Sequence, residues 1–112
     1  MLSLLPNASR AVVDIRKLRD YCLSHEHPRG RHKARVFAAK LGLAASDADE
    51  LRALLMMGAR VQPVVEMSRD QYGVRFLVDI PVVRGNRSAV IRSAWIVRIG
   101  EGFPRLTSCY VR

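Results

Sequence analysis

The chain has 112 residues, enough for one hydrophobic core and too few for two. Apolar residues make up 49% of it and charged residues 26%, the proportions of a folded globular domain, which excludes an intrinsically disordered chain. Nineteen Lys and Arg against ten Asp and Glu leave a net charge of +9, so the favoured partner is an anion, nucleic acid foremost.

Taken in chain order, residues 1–12 read as an N-terminal arm and 13–112 as a single basic domain. Met1 to Leu5 is apolar, but Pro6 and Asn7 end the run before it reaches the length of a signal-peptide core. No stretch approaches the roughly 20 apolar residues that span a bilayer. The expectation is a cytoplasmic protein with no membrane contact. Ala11 to Val13 is short and strand-like.

Asp14 is a candidate N-cap, and Ile15, Leu18, Tyr21 and Cys22 recur at helical spacing, which predicts helix one over Asp14 to Leu23. Pro28 and Gly30 break it. Ala34, Phe37, Ala38 and Leu41 predict helix two from Arg31 to Leu41, stopped by Gly42. Helix three is predicted from Ser46, with Asp49 as its capping-box acid and Gly58 as its end; Leu51, Leu54 and Leu55 give it a buried face.

After Gly58 the period changes to two. Val61 to Met67 reads as a strand in which Pro63 marks an edge or a bulge. Val74, Phe76, Val78 and Ile80 alternate with polar or partly polar positions. Arg84-Gly-Asn-Arg87 is a turn. Ala89 to Ile99 is the longest strand, with Ile91, Trp95 and Val97 on one face and Arg92 and Arg98 on the other, and Leu106 to Val111 is the last. The expected fold class is α+β: about three N-terminal helices packed on one face of a four-stranded antiparallel sheet.

The chemistry the residues support is acid–base chemistry without a metal. Asp14, Asp20, Glu66 and Asp79 are scattered rather than convergent, and His25, His27 and His32 lack the frame of a zinc site. There is no nucleophile elbow, Walker loop or dinucleotide fingerprint. Neither a metal nor a cofactor is expected. Cys22 and Cys109 form no CxxC motif and are expected as two reduced thiols, one on a helix and one on a strand.

Cleavage of RNA by its own 2′-hydroxyl needs a base, an acid and cations around the phosphate, all of which His, Lys, Arg, Tyr and Ser can supply. They gather in two clusters. His25, His27, Arg29, Arg31, His32, Lys33 and Arg35 precede or open helix two, where backbone N–H groups favour an anion. Read conservatively, that cluster is a solvated basic loop. Arg75, Arg92, Ser93, Thr107, Ser108 and Tyr110 lie on the C-terminal strands; there the plain alternative is a cross-strand Arg92–Asp79 pair, with Tyr110 a half-buried edge aromatic.

Several blocks carry a resemblance. Lys17-Leu18-x-x-Tyr21-x-Leu23, His27-Pro28-x-Gly30-x-x-Lys33-Ala34-x-x-Phe37 and Leu41-Gly42, with Arg75-Phe76-x-Val78-Asp79, Ile91-Arg92-Ser93-Ala94-Trp95 and Pro104-x-Leu106, resemble a small bacterial domain family of unassigned function. The resemblance covers nearly the whole chain from Val13. Such domains look like the tips of polymorphic and contact-dependent toxins and like one half of toxin–antitoxin-like pairs. Their helices-then-sheet order is similar to the barnase–EndoU–colicin–RelE group of metal-independent ribonucleases. The polar positions carried over are Lys17, Tyr21, His27, Lys33, Arg92 and Ser93; His25 and His32 fall outside the matched positions, and Tyr110 outside a clear block.

The resemblance and the residues together imply a toxin-like, metal-independent ribonuclease. His27 is its general acid or base, Lys33 and Arg92 hold the phosphate, and Ser93 or Tyr110 orients or donates a proton. Lys17, Arg29, Arg31, Arg35 and Arg75 are the expected RNA-binding residues, and a small acidic antitoxin or immunity-type protein is the expected neutralising partner. The rival reading is a non-enzymatic basic module that binds nucleic acid or an acidic protein. A third, compatible with both, makes the chain half of an obligate complex joined through an edge strand at Val61 to Met67 or through the last strand.

Overall fold

The helical half begins where the sequence offers a cap. Asp14 Oδ1 accepts the backbone N–H of Arg16 at 3.0 Å, which satisfies one of the first-turn donors that a helix leaves open. In the computed structural model, which describes residues 3–112, the helix that follows is short: α1 (Ile15–Lys17) runs directly into a π turn, Leu18–Cys22. The turn closes with Leu23 N–H donating to Leu18 O at 2.8 Å. An extra residue per turn rotates Tyr21 and Cys22 relative to a regular helix, a distortion that recurs at functional sites.

The loop after it is organised by its own side chains. Ser24 Oγ accepts from the N–H of Glu26 and of His27, at 3.3 and 3.2 Å. His27 Nδ1 accepts from the N–H of Arg29 and of Gly30, each at 3.0 Å. Gly30 is buried here, and a Cβ on it would lie 1.9 Å from the Tyr21 carbonyl oxygen. Only glycine lets the loop press onto the π turn. Helix α2 (Arg31–Leu41) then runs to a left-handed Gly42 at φ 67°, its bounds those the apolar stripe predicts.

Helix three differs from its expected bounds at both ends. Residues Ala45–Asp47 form a 3-10 turn, α3 spans Ala48–Val61, and the acid that closes the start is Asp47, whose Oδ2 accepts the Ala44 N–H at 2.9 Å, rather than Asp49. Gly58 lies inside α3 instead of ending it. A Cβ there would come within 2.5 Å of the Ile80 side chain, so its small size lets α3 approach the sheet.

The chain then forms an antiparallel meander in the order β1-β2-β3-β4: β1 (Val64–Asp70), β2 (Gly73–Arg84), β3 (Arg87–Arg98) and β4 (Arg105–Val111). Pro63 stands just before β1, which avoids the lost ladder bond a proline would cause within it. Along β2 the side chains of Phe76, Val78, Ile80 and Val82 are buried while Pro81 and Val83 are exposed. On β3 the buried set is Ile91, Ser93 and Trp95, joined by Ile96. Phe76, Val78, Ile80, Val82, Ile91 and Trp95 share one core cluster with Leu18, Phe37, Leu41, Leu51 and Leu55 of the helical segments. Fully burying each of the large apolar side chains is worth about 1.5–3 kcal/mol.

The pairing of β3 with β4 slips once. Ala94 faces Ser108 and Trp95 faces Leu106, so Thr107 is the extra residue of a bulge. Residues 3–12 are tied onto the domain rather than loose. Leu5 is buried, Val12 N–H donates to Pro104 O and Leu106 N–H to Val12 O at 2.9 Å each, and Asn7 Nδ2 donates to Gly102 O at 2.7 Å. Among the described residues no helix is long and apolar enough to cross a membrane.

Candidate functional site

Three elements meet at the β4 side of the sheet: the π turn, the start of α2 and the bulged strand. They enclose an open cleft of about 680 Å³ whose lining includes Lys17, Tyr21, Cys22, His27, Lys33, Thr107 and Ser108. Lys33 rises from the first turn of α2 and donates from Nζ to Ser108 Oγ at 2.7 Å. The same ammonium lies 5.0 Å from the centroid of the Tyr21 ring, within cation–π range. Lys17 donates from Nζ to Leu106 O at 3.1 Å. The rings of Tyr21 and His27 meet edge to face, centroids 4.5 Å apart.

The charges of the cleft do not cancel. Its two carboxylates, Asp14 and Asp20, are each held by a neighbouring arginine: Arg16 Nη2 lies 2.8 Å from Asp14 Oδ2, and Arg19 Nε lies 2.8 Å from Asp20 Oδ1. The Arg16 side chain pulls the Asp14 carboxyl down to about 2, and Arg19 lowers Asp20 in the same way. Among the described residues neither Lys17 nor Lys33 forms an ion pair with a carboxylate. Two ammonium groups therefore line the cleft without a direct ion pair, an arrangement that favours an anion.

The hydrogen bonds of His27 define its tautomer. Nδ1 accepts two backbone N–H groups, so the neutral ring carries its proton on Nε2 and can offer that nitrogen as a donor. Below it, Cys22 is 1% exposed and Cys109 fully buried; both are unbridged thiols. A hydrogen bond from Cys109 pulls the Cys22 thiol down to about 6 from an ordinary 9.0, assisted by the Lys33 charge and the Ser108 hydroxyl. Cys109 moves up, because Cys22 faces it and burial disfavours its charge. Among the described residues no group of three or more His, Cys, Asp or Glu side chains is placed to hold a metal ion.

Of the residues expected from sequence, the cleft brings together Lys17, His27 and Lys33. It does not bring Arg92, Ser93 or Tyr110, none of which lines it. Arg92 donates from Nε and Nη2 to the two oxygens of Asp79 at 2.8 and 3.0 Å, the cross-strand pair that was its plain alternative. Arg112 Nη1 joins the same carboxylate at 2.8 Å. Asp79 is accordingly lowered and Arg92 raised, each chiefly by their mutual hydrogen bonds. Ser93 is fully buried; its Oγ donates to Val78 O at 2.8 Å and accepts from Trp95 Nε1 at 2.9 Å. Tyr110, 40% exposed, pairs with Arg92 across the strands. Arg75 is paired with Asp70. Arg29, Arg31 and Arg35 are exposed and make no ion pair among the described residues, and His25 and His32 are exposed as well.

Ser108, Thr107, Tyr21 and Cys22 are among the cleft residues to which sequence reasoning gave no part in the reaction. The signal for Ser108 was the apolar spacing Leu106–Cys109–Val111, three and then two. A regular strand keeps one face at even spacing, so the odd step marks a bulge and re-aims the residues between.

Residues 4–112 match the model of a family described as a domain of unknown function, DUF6883. No curated protein matches the sequence. Among solved structures the chain is similar to a chain of a contact-dependent growth inhibition toxin–immunity protein complex from Klebsiella pneumoniae 342, with a TM-score of 0.70 at 19% identity over 90% of this chain and 99% of that one. At that identity the likeness is one of fold.

Proposed function

The chain belongs to the DUF6883 family, and from that premise we propose that it is a toxin-like ribonuclease that cuts RNA without a metal, by attack of the 2′-hydroxyl on the adjacent phosphate. The observation that carries the reading is the pair of ammonium groups, Lys17 and Lys33, that make no ion pair and converge with His27, Tyr21 and Ser108 on one cleft.

In this reading Lys33, steadied by Ser108, and Lys17, steadied by the Leu106 carbonyl, receive the non-bridging oxygens of the phosphate. They gain most as charge builds there in the transition state. His27 donates a hydrogen bond from Nε2 to a phosphate oxygen, with Tyr21 fixing the ring, while the 2′-hydroxyl gives its proton to water and the departing 5′-oxygen takes one from water. Arg29, Arg31 and Arg35 guide the RNA backbone along the start of α2. Arg92, Ser93 and Tyr110 serve the sheet instead, Arg92 through Asp79. The helices cover one face of the sheet and leave the face carrying Arg75 and Arg92 to solvent or a partner. The site of action is the cytoplasm, where the RNA is.

The fold neighbour's name couples a toxin with an immunity protein. A net charge of +9 suits the RNA-directed member of such a pair, and a small acidic protein is the complementary neutraliser. A second reading, a basic module that binds nucleic acid or an acidic protein without cleaving it, is favoured by one observation. His27 Nδ1 already accepts two backbone N–H groups, so no ring nitrogen is free to serve as the base.

The test is cleavage of total RNA and tRNA in EDTA by the wild-type chain and by His27→Ala, Lys33→Met and Arg92→Ala. Cyclic-phosphate ends from the wild type and Arg92→Ala, with loss in the two cleft variants, support the ribonuclease. A fall of about 10²–10³ is expected for Lys33→Met, the scale of removing one charge-stabilising donor. Salt-sensitive binding with no cut ends favours the module instead.

A further inference from the structure

A second hollow, of about 780 Å³, adjoins the cleft, and the reaction proposed above does not use it. The two share Asp20 and His27 in their linings. Beyond those residues the hollow is lined by the loop that leads to α2 and by the turn before α3: Leu23, Ala44 and Ala45 contribute apolar surface, and Ser24, Glu26 and Ser46 contribute polar groups.

The two hollows differ in charge. In the cleft lining Arg16, Lys17 and Lys33 stand against Asp14 and Asp20; in the second hollow Arg19 alone stands against Asp20 and Glu26. Arg19 is already held by Asp20, at 2.8 Å. Glu26 is exposed and makes no ion pair among the described residues. Among them, too, the Glu26 carboxylate, the Ser24 hydroxyl proton and the Ser46 hydroxyl enter no hydrogen bond. A free carboxylate repels a phosphate and favours a neutral group that carries N–H donors. In RNA the neutral group beside each phosphate is the base.

We propose that this hollow is the subsite for the nucleobase next to the scissile phosphate and that Glu26 selects guanine there, a proposal that rests on the ribonuclease reading. The choice of base follows from hydrogen-bonding edges. Guanine presents two adjacent donors, N1–H and N2–H, beside an acceptor, O6. A carboxylate accepts both donors side by side, and a serine hydroxyl donates to O6. Adenine and cytosine each place an acceptor next to the amino group, and uracil flanks its one N–H with carbonyls, so each of them sets an acceptor against the carboxylate. The faces of the base meet Ala44 and Ala45. In a duplex the same edge is already paired, so the guanine enters unpaired and the substrate is single-stranded at the cut.

The test reads binding rather than cleavage. The wild-type chain is titrated with inorganic phosphate and with the 3′-monophosphates of guanosine, adenosine, cytidine and uridine, at about pH 8, where an ordinary imidazole is neutral. The nucleotide series is then repeated with Glu26→Gln. Because the Glu26 side chain is exposed and unpaired, the substitution leaves the fold in place. The expected result is that the guanosine nucleotide binds about ten- to a hundredfold more tightly than the others. Glu26→Gln should abolish that preference, because an amide offers one acceptor and sets a donor against the second guanine N–H. Equal binding of the nucleotides, preference for another base, or a guanine preference that survives Glu26→Gln overturns the subsite and leaves the phosphate-holding cleft standing. If neither inorganic phosphate nor any nucleotide binds the wild type, the ribonuclease reading falls and the subsite falls with it.

Discussion

Ser93 Oγ is engaged on both sides, donating to one strand and accepting from the indole of Trp95. Its removal leaves a buried Trp95 N–H without a partner. Ser93→Ala is therefore expected to lower stability by about 1–3 kcal/mol, measured by urea denaturation, while leaving the cleft's affinity for RNA unchanged. Asp79 makes a different kind of contribution. Its folded pKa is depressed by Arg92 and Arg112, so its stabilisation is present above the unfolded carboxylate value and is lost as pH falls through the folded one. Asp79→Asn should cost about 1 kcal/mol at neutral pH, and the gap between denaturation curves of the variant and wild type should narrow as pH falls below the ordinary carboxylate range; a gap that does not narrow in acid would contradict this. At this scale the sequence was partly legible. His27 and Lys33 stood out because a histidine and a lysine flank a helix start. Ser93 misled because the matched block drew attention to its hydroxyl. Its alternation with Ile91 and Trp95 already placed it on the inward face.

The elements were legible wherever a local rule had no competitor. Asp14 caps, Gly42 stops α2, and the period of two marks β2 and β3. The misses came from tertiary contacts that override local signals. Gly58 looks like a helix end, yet it stays helical because Ile80 packs where a side chain would be. Gly58→Ala should destabilise the fold by about 1–3 kcal/mol, read from thermal or urea unfolding. Gly30 looks like a simple breaker, but the Tyr21 carbonyl fills the position of its missing side chain. Gly30→Ala forces the loop and the π turn apart. Its effect should fall on the cleft: RNA affinity drops at least tenfold, while the sheet's near-ultraviolet signature at Trp95 is retained. The π turn was not foreseeable as an element, since it is a one-residue departure from a regular helical period, whereas the Thr107 bulge left a trace only in the odd apolar step from Leu106 to Cys109.

The whole molecule is a basic body, and Lys17, Arg29, Arg31, Lys33 and Arg35, at the cleft and the start of α2, are among its described cations that make no ion pair; in the ribonuclease reading they set how it should meet RNA. With roughly four phosphate contacts to a single strand, log affinity should fall against log salt with a slope of about −3, and Lys33→Met should flatten that slope by about 0.7. Fluorescence anisotropy across a salt series checks both; an unchanged slope would place Lys33 outside the binding face. Charge and composition gave this scale most directly, because both are sums that need no structure. The location of the site was harder to read, because it joins distant parts of the chain. The Lys33–Ser108 bond spans 75 positions and the Lys17–Leu106 bond 89, whereas each hairpin of the meander pairs neighbours. Contacts between near neighbours close early in folding and long loops close late. A refolding chain should thus regain its sheet before it regains a working cleft, and a chain under stress should lose the cleft while the hairpins still hold, so that activity, and not secondary structure, is the more sensitive gauge of whether the molecule is whole.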